Sequence, residues 1–252
     1  MTIHHHPDDD LLLALAAGTL AAGPELVLRV HLEQCGACRA RLRTLEDLGG
    51  LLFEDVEPVP LAAGAWAGTL ERIVAAPRAA GAAQRPRAAP SASSASGSSA
   101  SSHSSGLAAS SASSASTSLP PASLRLPPDF TWPRSLRGCS TAGWRWAGPG
   151  MAYARLVAPI DPQANLLLLR IGAGRHLARH RHTGVELTQV LSGQFDDGRA
   201  TFAAGDFDAA DGRISHEPRV PASAPCVCLA SMEGALQFEG RVGRLLGRWL
   251  GL

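Results

Sequence analysis

The chain has 252 residues, 45% apolar and 18% charged, which excludes a miniature scaffold and a wholly disordered polymer. At roughly 150 residues per domain it has room for two modest domains. Its 23 basic and 22 acidic residues leave a net charge of +1, without the basic excess that holds a protein on nucleic acid by counterion release, so no direct nucleic-acid partner is expected. Every basic residue is arginine, which in a sequence so rich in Ala, Gly, Leu and Pro reads as coding bias.

In chain order, Asp8 to Asp10 are placed to cap a helix whose apolar face begins at Leu11, and the Gly18–Gly23 stretch breaks it. The apolar run Leu11–Ala22 is about 12 residues long and flanked by acids, too short to span a bilayer, so no membrane partner is expected. Pro24 restarts the chain, and Leu26, Val30 and the residues around His31 continue at helical spacing. Cys35 to Phe53 reads as a further helix with Leu42, Leu45, Leu48 and Leu52 as its buried stripe, and Trp66, Leu70, Ile73 and Val74 suggest a last one. Residues 1–76 are thus an all-α unit of about four helices, small enough to need a staple.

Of the 28 residues from Ser91 to Ser118, 16 are Ser and 7 Ala, too little apolar surface to offset their ordering entropy. With the Pro-rich flanks, residues 77–128 form a disordered Ser/Ala linker between two folded parts. In residues 129–252 the period changes. Leu166–Ile171, Glu186–Leu191, Arg199–Phe202 and Cys226–Ala230 are short runs bounded by Gly, Asp or Pro, as in a β-sandwich or barrel. Arg241–Leu252 closes the chain as a short amphipathic helix, better suited to packing on the barrel than to a membrane. The fold class is therefore multidomain: α, then all-β.

Two constellations carry chemistry. His31, Cys35 and Cys38 fall at i, i+4 and i+7, which puts three soft or borderline ligands on one side of a continuing helix or tight turn. A closed zinc site wants four such ligands in a tetrahedron. His6 is the best fourth, with His4 and His5 as adjacent competitors; the same tract also reads as a purification-tag remnant or a frayed end. The Cys pair has two further readings, a redox dithiol or two core thiols, although a thioredoxin-like site would need a βαβ context. Five cysteines, an odd number with no secretory signal before them, disfavour a secreted disulfide framework and point to a reducing, cytoplasmic setting.

His6 followed by His31-x3-Cys35-x2-Cys38 on short helices resembles the zinc-binding anti-sigma domain, and the opening His5-His6-Pro7-Asp8 with its Leu/Ala-Gly-Thr-Leu segment resembles the ChrR branch of that family. The resemblance implies a domain that grips an extracytoplasmic-function sigma factor and keeps it from core polymerase, with structural zinc held by His6, His31, Cys35 and Cys38. Helical periodicity alone says only that the helices pack against something.

The second constellation, Gly174-x5-His180-x-His182-x3-Glu186-x6-Gly193, resembles the first cupin motif at each spacing, and His216 follows 30 residues after Glu186. Residues two apart on a strand face the same way, so His180 and His182 can both look into a jelly-roll barrel while Glu186 and His216 complete a shell of three imidazoles and one carboxylate. That set suits Zn, Fe, Mn or Ni, and the ChrR resemblance favours zinc. The second cupin motif departs from its usual form: Asp211 stands for Pro, Gly212 comes one place early before Arg213, and Val220 stands for Asn. Surface histidines in an Arg-rich loop are the plainer reading, weakened by the repulsion that adjacent cations would feel there without a metal.

Cys226-x-Cys228 also resembles the ChrR pattern; alternate strand positions put both sulfurs on one face, where they would hold a metal or react with an oxidant if exposed, or form two inert core thiols if buried. Cys139 is assigned no role. As a whole the chain resembles a ChrR-like anti-sigma factor. The resemblance implies a cytoplasmic, non-enzymatic regulator whose cupin senses singlet oxygen or an organic hydroperoxide and releases the sigma factor. The long tether works against a rigid hand-off between the domains, so a protease recruited on signal or a direct cupin–sigma contact is expected to carry it. The opposing expectation is a metal-dependent cupin dioxygenase or isomerase carrying a helical docking domain, which would require an open coordination position and a substrate pocket.

Overall fold

The computed structural model describes residues 2–75, 126 and 130–239; the expected linker at 77–128, Leu126 aside, and the expected helix at Arg241–Leu252 lie outside them. Contacts divide the chain into one unit of Met1–Asp55 with Ser118–Leu252 and another of Val56–Thr117. This differs from the division at 76 and 128 that composition suggests, because the first three helices share their core with the strands.

Helix α1 (Asp9–Ala16) starts where the sequence indicates: the Asp8 carboxylate accepts from Leu11 N–H at 2.9 Å. Gly18 then turns the chain at φ 66°, a left-handed conformation that costs a glycine little. Helix α2 (Ala22–Gln34) buries Val27, Leu28 and Val30 completely. Helix α3 (Gly36–Glu54) is the predicted long helix, but its apolar stripe is only half covered. Leu42 and Leu45 pack on the core, whereas Leu48 is 49% and Leu52 63% exposed. The reason is length: at 1.5 Å per residue the eight-residue α1 spans only the first part of the 19-residue α3, where the Asp9 carboxylate takes a two-pronged grip from Arg41 at 2.9 and 2.6 Å. In the other unit, α4 (Ala65–Ala75) is the last predicted helix, with Trp66, Ile73 and Val74 at 69, 66 and 85% exposure.

Twelve strands follow among the described residues. The main sheet contains β1 (Ser140–Thr141), β2 (Arg145–Gly148), β3 (Met151–Val157), β4 (Leu166–Ile171), β6 (Glu186–Ser192), β9 (Phe207–Ala210) and β11 (Cys226–Met232). Its order is β1-β3-β4-β11-β6-β9, all antiparallel, with β2 also on β3. A second sheet sets β5 (His180–His182) between β10 (Ser215–His216) and β12 (Leu236–Phe238), and β7 (Gln194–Asp196) pairs with β8 (Thr201–Ala203). The run expected at Arg199–Phe202 begins as a strand only at Thr201. Asp197 accepts from the N–H groups of Arg199 and Ala200 and ties those residues into a turn. Strand β3 escapes detection in the sequence because Ala152, Ala154 and Arg155 blur its alternation.

Both faces of the main sheet are covered, which explains why β4 and β11, broken only by Arg170 and Ser231, read as apolar runs rather than alternating ones. Leu166, Leu168, Leu187 and Leu229 face outward and join Leu12, Val27, Leu28 and Val30 in one core. Ile171, Val190, Cys226 and Cys228 face the barrel interior. The helix approaches closely: a Cβ on Gly23 of α2 would lie 2.6 Å from Ser231 Oγ of β11. Burying each such Val or Leu stabilises the unit by about 1.5–3 kcal/mol as an upper bound, so the short helices draw much of their stability from the sheet.

Candidate functional site: two donor clusters

The helical cluster forms where α2 ends. The helix does not run on through Cys35; that residue is extended (φ −95°, ψ 106°), closing α2 and capping α3 through its sulfur, which accepts from Cys38 N–H at 3.4 Å. The break, rather than a continuous helix, lets His31, Cys35 and Cys38 face one point. His6 Nδ1 reaches the same point, 3.3 Å from Cys35 Sγ and 3.4 Å from Cys38 Sγ. His4 and His5 are engaged elsewhere: their main-chain N–H groups donate to Asp206 at 2.7 and 3.1 Å, and the His5 ring lies 4.5 Å from that of Phe202.

Donor atoms of His6, His31, Cys35 and Cys38 all lie within 4.8 Å of one another. His31 is fully buried, its Nδ1 bonded to Gln189 Oε1 at 3.0 Å and its Nε2 left without a hydrogen-bond partner. Burial holds its pKa down despite the Gln189 bond, which keeps the ring neutral. Burial, aided by the bond to Cys35, pushes the Cys38 thiol up to about 12. An orphaned imidazole nitrogen beside two thiols and a second imidazole is the donor set of a closed tetrahedral zinc site, and these residues fit one.

The barrel cluster comes from three strands. His180 and His182 project from β5 on one face, His216 pairs directly with His180 across β10, and Glu186 opens β6. His182 Nε2 lies 3.0 Å from Glu186 Oε2 and 3.3 Å from His216 Nε2. His180 donates from Nδ1 to the carbonyl of Ala178 at 2.9 Å, which leaves its Nε2 lone pair free, and burial lowers its pKa to about 4. Burial works to raise the Glu186 carboxyl, but its bond with His182 and the charges of the three histidines outweigh it and hold it ionised. Converging lone pairs at this separation need a proton or a cation between them, and a divalent metal fits the set.

Residues that sequence reasoning did not single out support both clusters. Asp197 Oδ2 sits 3.6 Å from His216 Nδ1, and Arg199 bridges the carboxylates of Asp197 and Asp208. Opposite ring nitrogens of His216 thus face Glu186 and Asp197, as when a carboxylate orients a metal-bound imidazole. Two small cavities of about 50 and 30 Å³ border His180 and Glu186, the first walled by Tyr153, Leu167 and Phe238. At the first motif's end Gly193 adopts φ 74°, with Cys226 Cα only 3.0 Å from where a Cβ would stand. In the departed second motif, Gly212 allows close approach to the His182 carbonyl, 2.9 Å from its missing Cβ. Cys226 and Cys228 point inward with sulfurs 3.6 Å apart, both buried; the contact with Cys226 and burial together push the Cys228 thiol well up. Both therefore lie in the barrel-side core, packed with Ile171 and Val190.

A jelly-roll-like sheet with three imidazoles and a carboxylate inside defines a cupin, and residues 134–235 match the family described as ChrR Cupin-like domain. The chain is 33% identical over 249 residues to the anti-sigma-E factor ChrR of Cereibacter sphaeroides, covering 98% of this chain and 97% of that protein. The crystal structure of Rhodobacter sphaeroides SigE in complex with the anti-sigma ChrR matches 92% of this chain and all of that one, with TM-score 0.61 and 30% identity. The chain belongs to the ChrR family of anti-sigma factors, regulators rather than enzymes. Among the described residues no helix is long and apolar enough to cross a membrane.

Proposed function

We infer that this protein captures an extracytoplasmic-function sigma factor in the cytoplasm through its helices and releases it when the barrel centre meets an oxidant, singlet oxygen or an organic hydroperoxide. The observation that carries this reading is apolar surface presented by helices of an anti-sigma family member. In α3, Leu51, Leu52 and Phe53 are 62, 63 and 76% exposed, and α4 separately presents Trp66, Ile73 and Val74. Such patches mark protein interaction sites, and a helical face laid on a partner inhibits by occupying its surface without chemistry. Zinc in the helical cluster fixes the angle between α2 and α3, so its binding free energy becomes folding energy for that region. The barrel centre, with room beside it for a ligand of water size, takes a second divalent metal, zinc favoured. The adjoining cavities are an order of magnitude smaller than the roughly 300–1,000 Å³ pockets that hold organic substrates, in keeping with a sensor.

Co-purification of the full chain from its own host tests the reading, with recovery of a sigma factor at one per chain expected. Leu51→Asp with Leu52→Asp should abolish capture while helicity, measured by circular dichroism, stays unchanged. Retained capture would rule out the α3 face. His180→Ala with Glu186→Ala should leave capture intact and abolish induction by oxidant; unchanged induction would remove the barrel from sensing.

A further inference from the structure

Strand β6 carries a residue of each cluster. Glu186 points into the barrel toward His182 and His216; Gln189, three positions on and therefore on the opposite face, points out of it to His31. Gln189 is fully buried, and both ends of its amide are engaged: Nε2 donates to the Val190 carbonyl at 3.1 Å while Oε1 accepts from His31 Nδ1 at 3.0 Å. The first bond decides which way the amide points, so the second decides the tautomer of His31. With its proton on Nδ1, the ring keeps a lone pair on Nε2, the buried atom that has no hydrogen-bond partner. The reverse tautomer would aim a proton at the cluster and could not coordinate. The barrel also delivers His6, because the Asp206 carboxylate, at the foot of β9, gathers the main chain of His4 and His5 while Phe207 N–H donates to the His5 carbonyl at 3.1 Å.

We propose that Gln189 is a positioning residue through which the barrel sets the donor atom of His31, so that cation retention by the helical cluster depends on strand β6. The proposal rests on the reading of His6, His31, Cys35 and Cys38 as a cation clip. Its consequence is a route between the two centres that needs no tether: a shift of β6 at Glu186 reaches His31 through three residues of one strand.

The test loads the full chain with cobalt(II). The thiolate-to-cobalt charge-transfer absorption that disappears in a Cys35→Ser, Cys38→Ser control reports the helical clip, and total cobalt per chain reports both sites. Wild type, Gln189→Leu and Gln189→Glu are compared for the rate at which excess chelator bleaches the band. The Leu variant, similar in volume but without an acceptor, should lose the band about 10–100-fold faster. The Glu variant, whose carboxylate accepts the same N–H, should restore a rate near wild type, and nitrogen-15 shifts of His31 should show the Nδ1–H tautomer in wild type and Glu but not in Leu. A wild-type rate in the Leu variant overturns the proposal. So does equal acceleration in both variants, which would assign Gln189 to packing, or loss of barrel cobalt alongside. A band missing from wild type itself would overturn the clip reading and this proposal with it.

Discussion

The two donor clusters lie on opposite faces of one sheet, and their surroundings differ. The outer one is built at a helix break from two thiols and two imidazoles, with all four donors facing each other. The inner one is built from rigid strands, three imidazoles and a carboxylate, with cavities of about 50 and 30 Å³ against it. A closed thiolate set suits a structural ion, whereas a harder set with space alongside suits an ion that meets a small ligand. Under the proposed function, the chain separates holding from sensing by which face of the sheet a ligand occupies.

Removing a donor from the outer cluster should break the comparison most severely. Cys38→Ser is expected to lose the thiolate-bound metal completely while the barrel keeps its own, with elemental analysis and the charge-transfer band as the readout. Structural zinc contributes on the order of 10 kcal/mol of apparent binding free energy, so thermal melting should show early loss of helix while the sheet persists. Simultaneous melting of both would mean that the helices hold the barrel together as well.

A smaller effect sharpens the inner side. Asp197→Asn leaves Arg199 paired with Asp208 but takes the carboxylate charge from His216, and should weaken barrel metal about 10–100-fold against a competing chelator without moving the outer site. An unchanged barrel affinity would show that Glu186 and the strand geometry orient His216 unaided.

An effect of similar size concerns the tie between the faces. Burial works to raise the Asp206 carboxyl, but N–H donors from Ala203, His4 and His5 outweigh it and hold its pKa below the ordinary value. A depressed folded pKa contributes stability that is present above the unfolded pKa and is lost as pH falls through the lower folded one. Asp206→Asn should therefore cost about 1–3 kcal/mol near neutrality and flatten the acid limb of a stability-against-pH curve below about pH 4. A variant with the wild-type acid limb would assign that limb to other carboxylates.

Much of this arrangement is local and hence legible in the chain. Helix starts, the His31-Cys35-Cys38 spacing and the His180-His182-Glu186 box depend on residues a few positions apart, where backbone geometry decides which side chains share a face. The exposed end of α3 was not legible, because an apolar stripe records what prefers burial and not whether a neighbour is long enough to cover it. Gln189, Asp206 and Asp197 gave no signal at all, since a single polar residue in a strand carries meaning only through what lies across from it.

By itself the amino-acid sequence determined most of the element types, the clustered donors apart from the choice among His4, His5 and His6, and the family, because each is written in composition, period or short spacing. Tertiary structure alone decided that His6 rather than His4 or His5 meets the cysteines, that α2 closes the outer face of the barrel sheet, and that one strand touches both clusters. Those facts join residues some 30 to 200 positions apart, and only packing of the two apolar faces of the sheet, one against helices and one against itself, brings them within bonding distance.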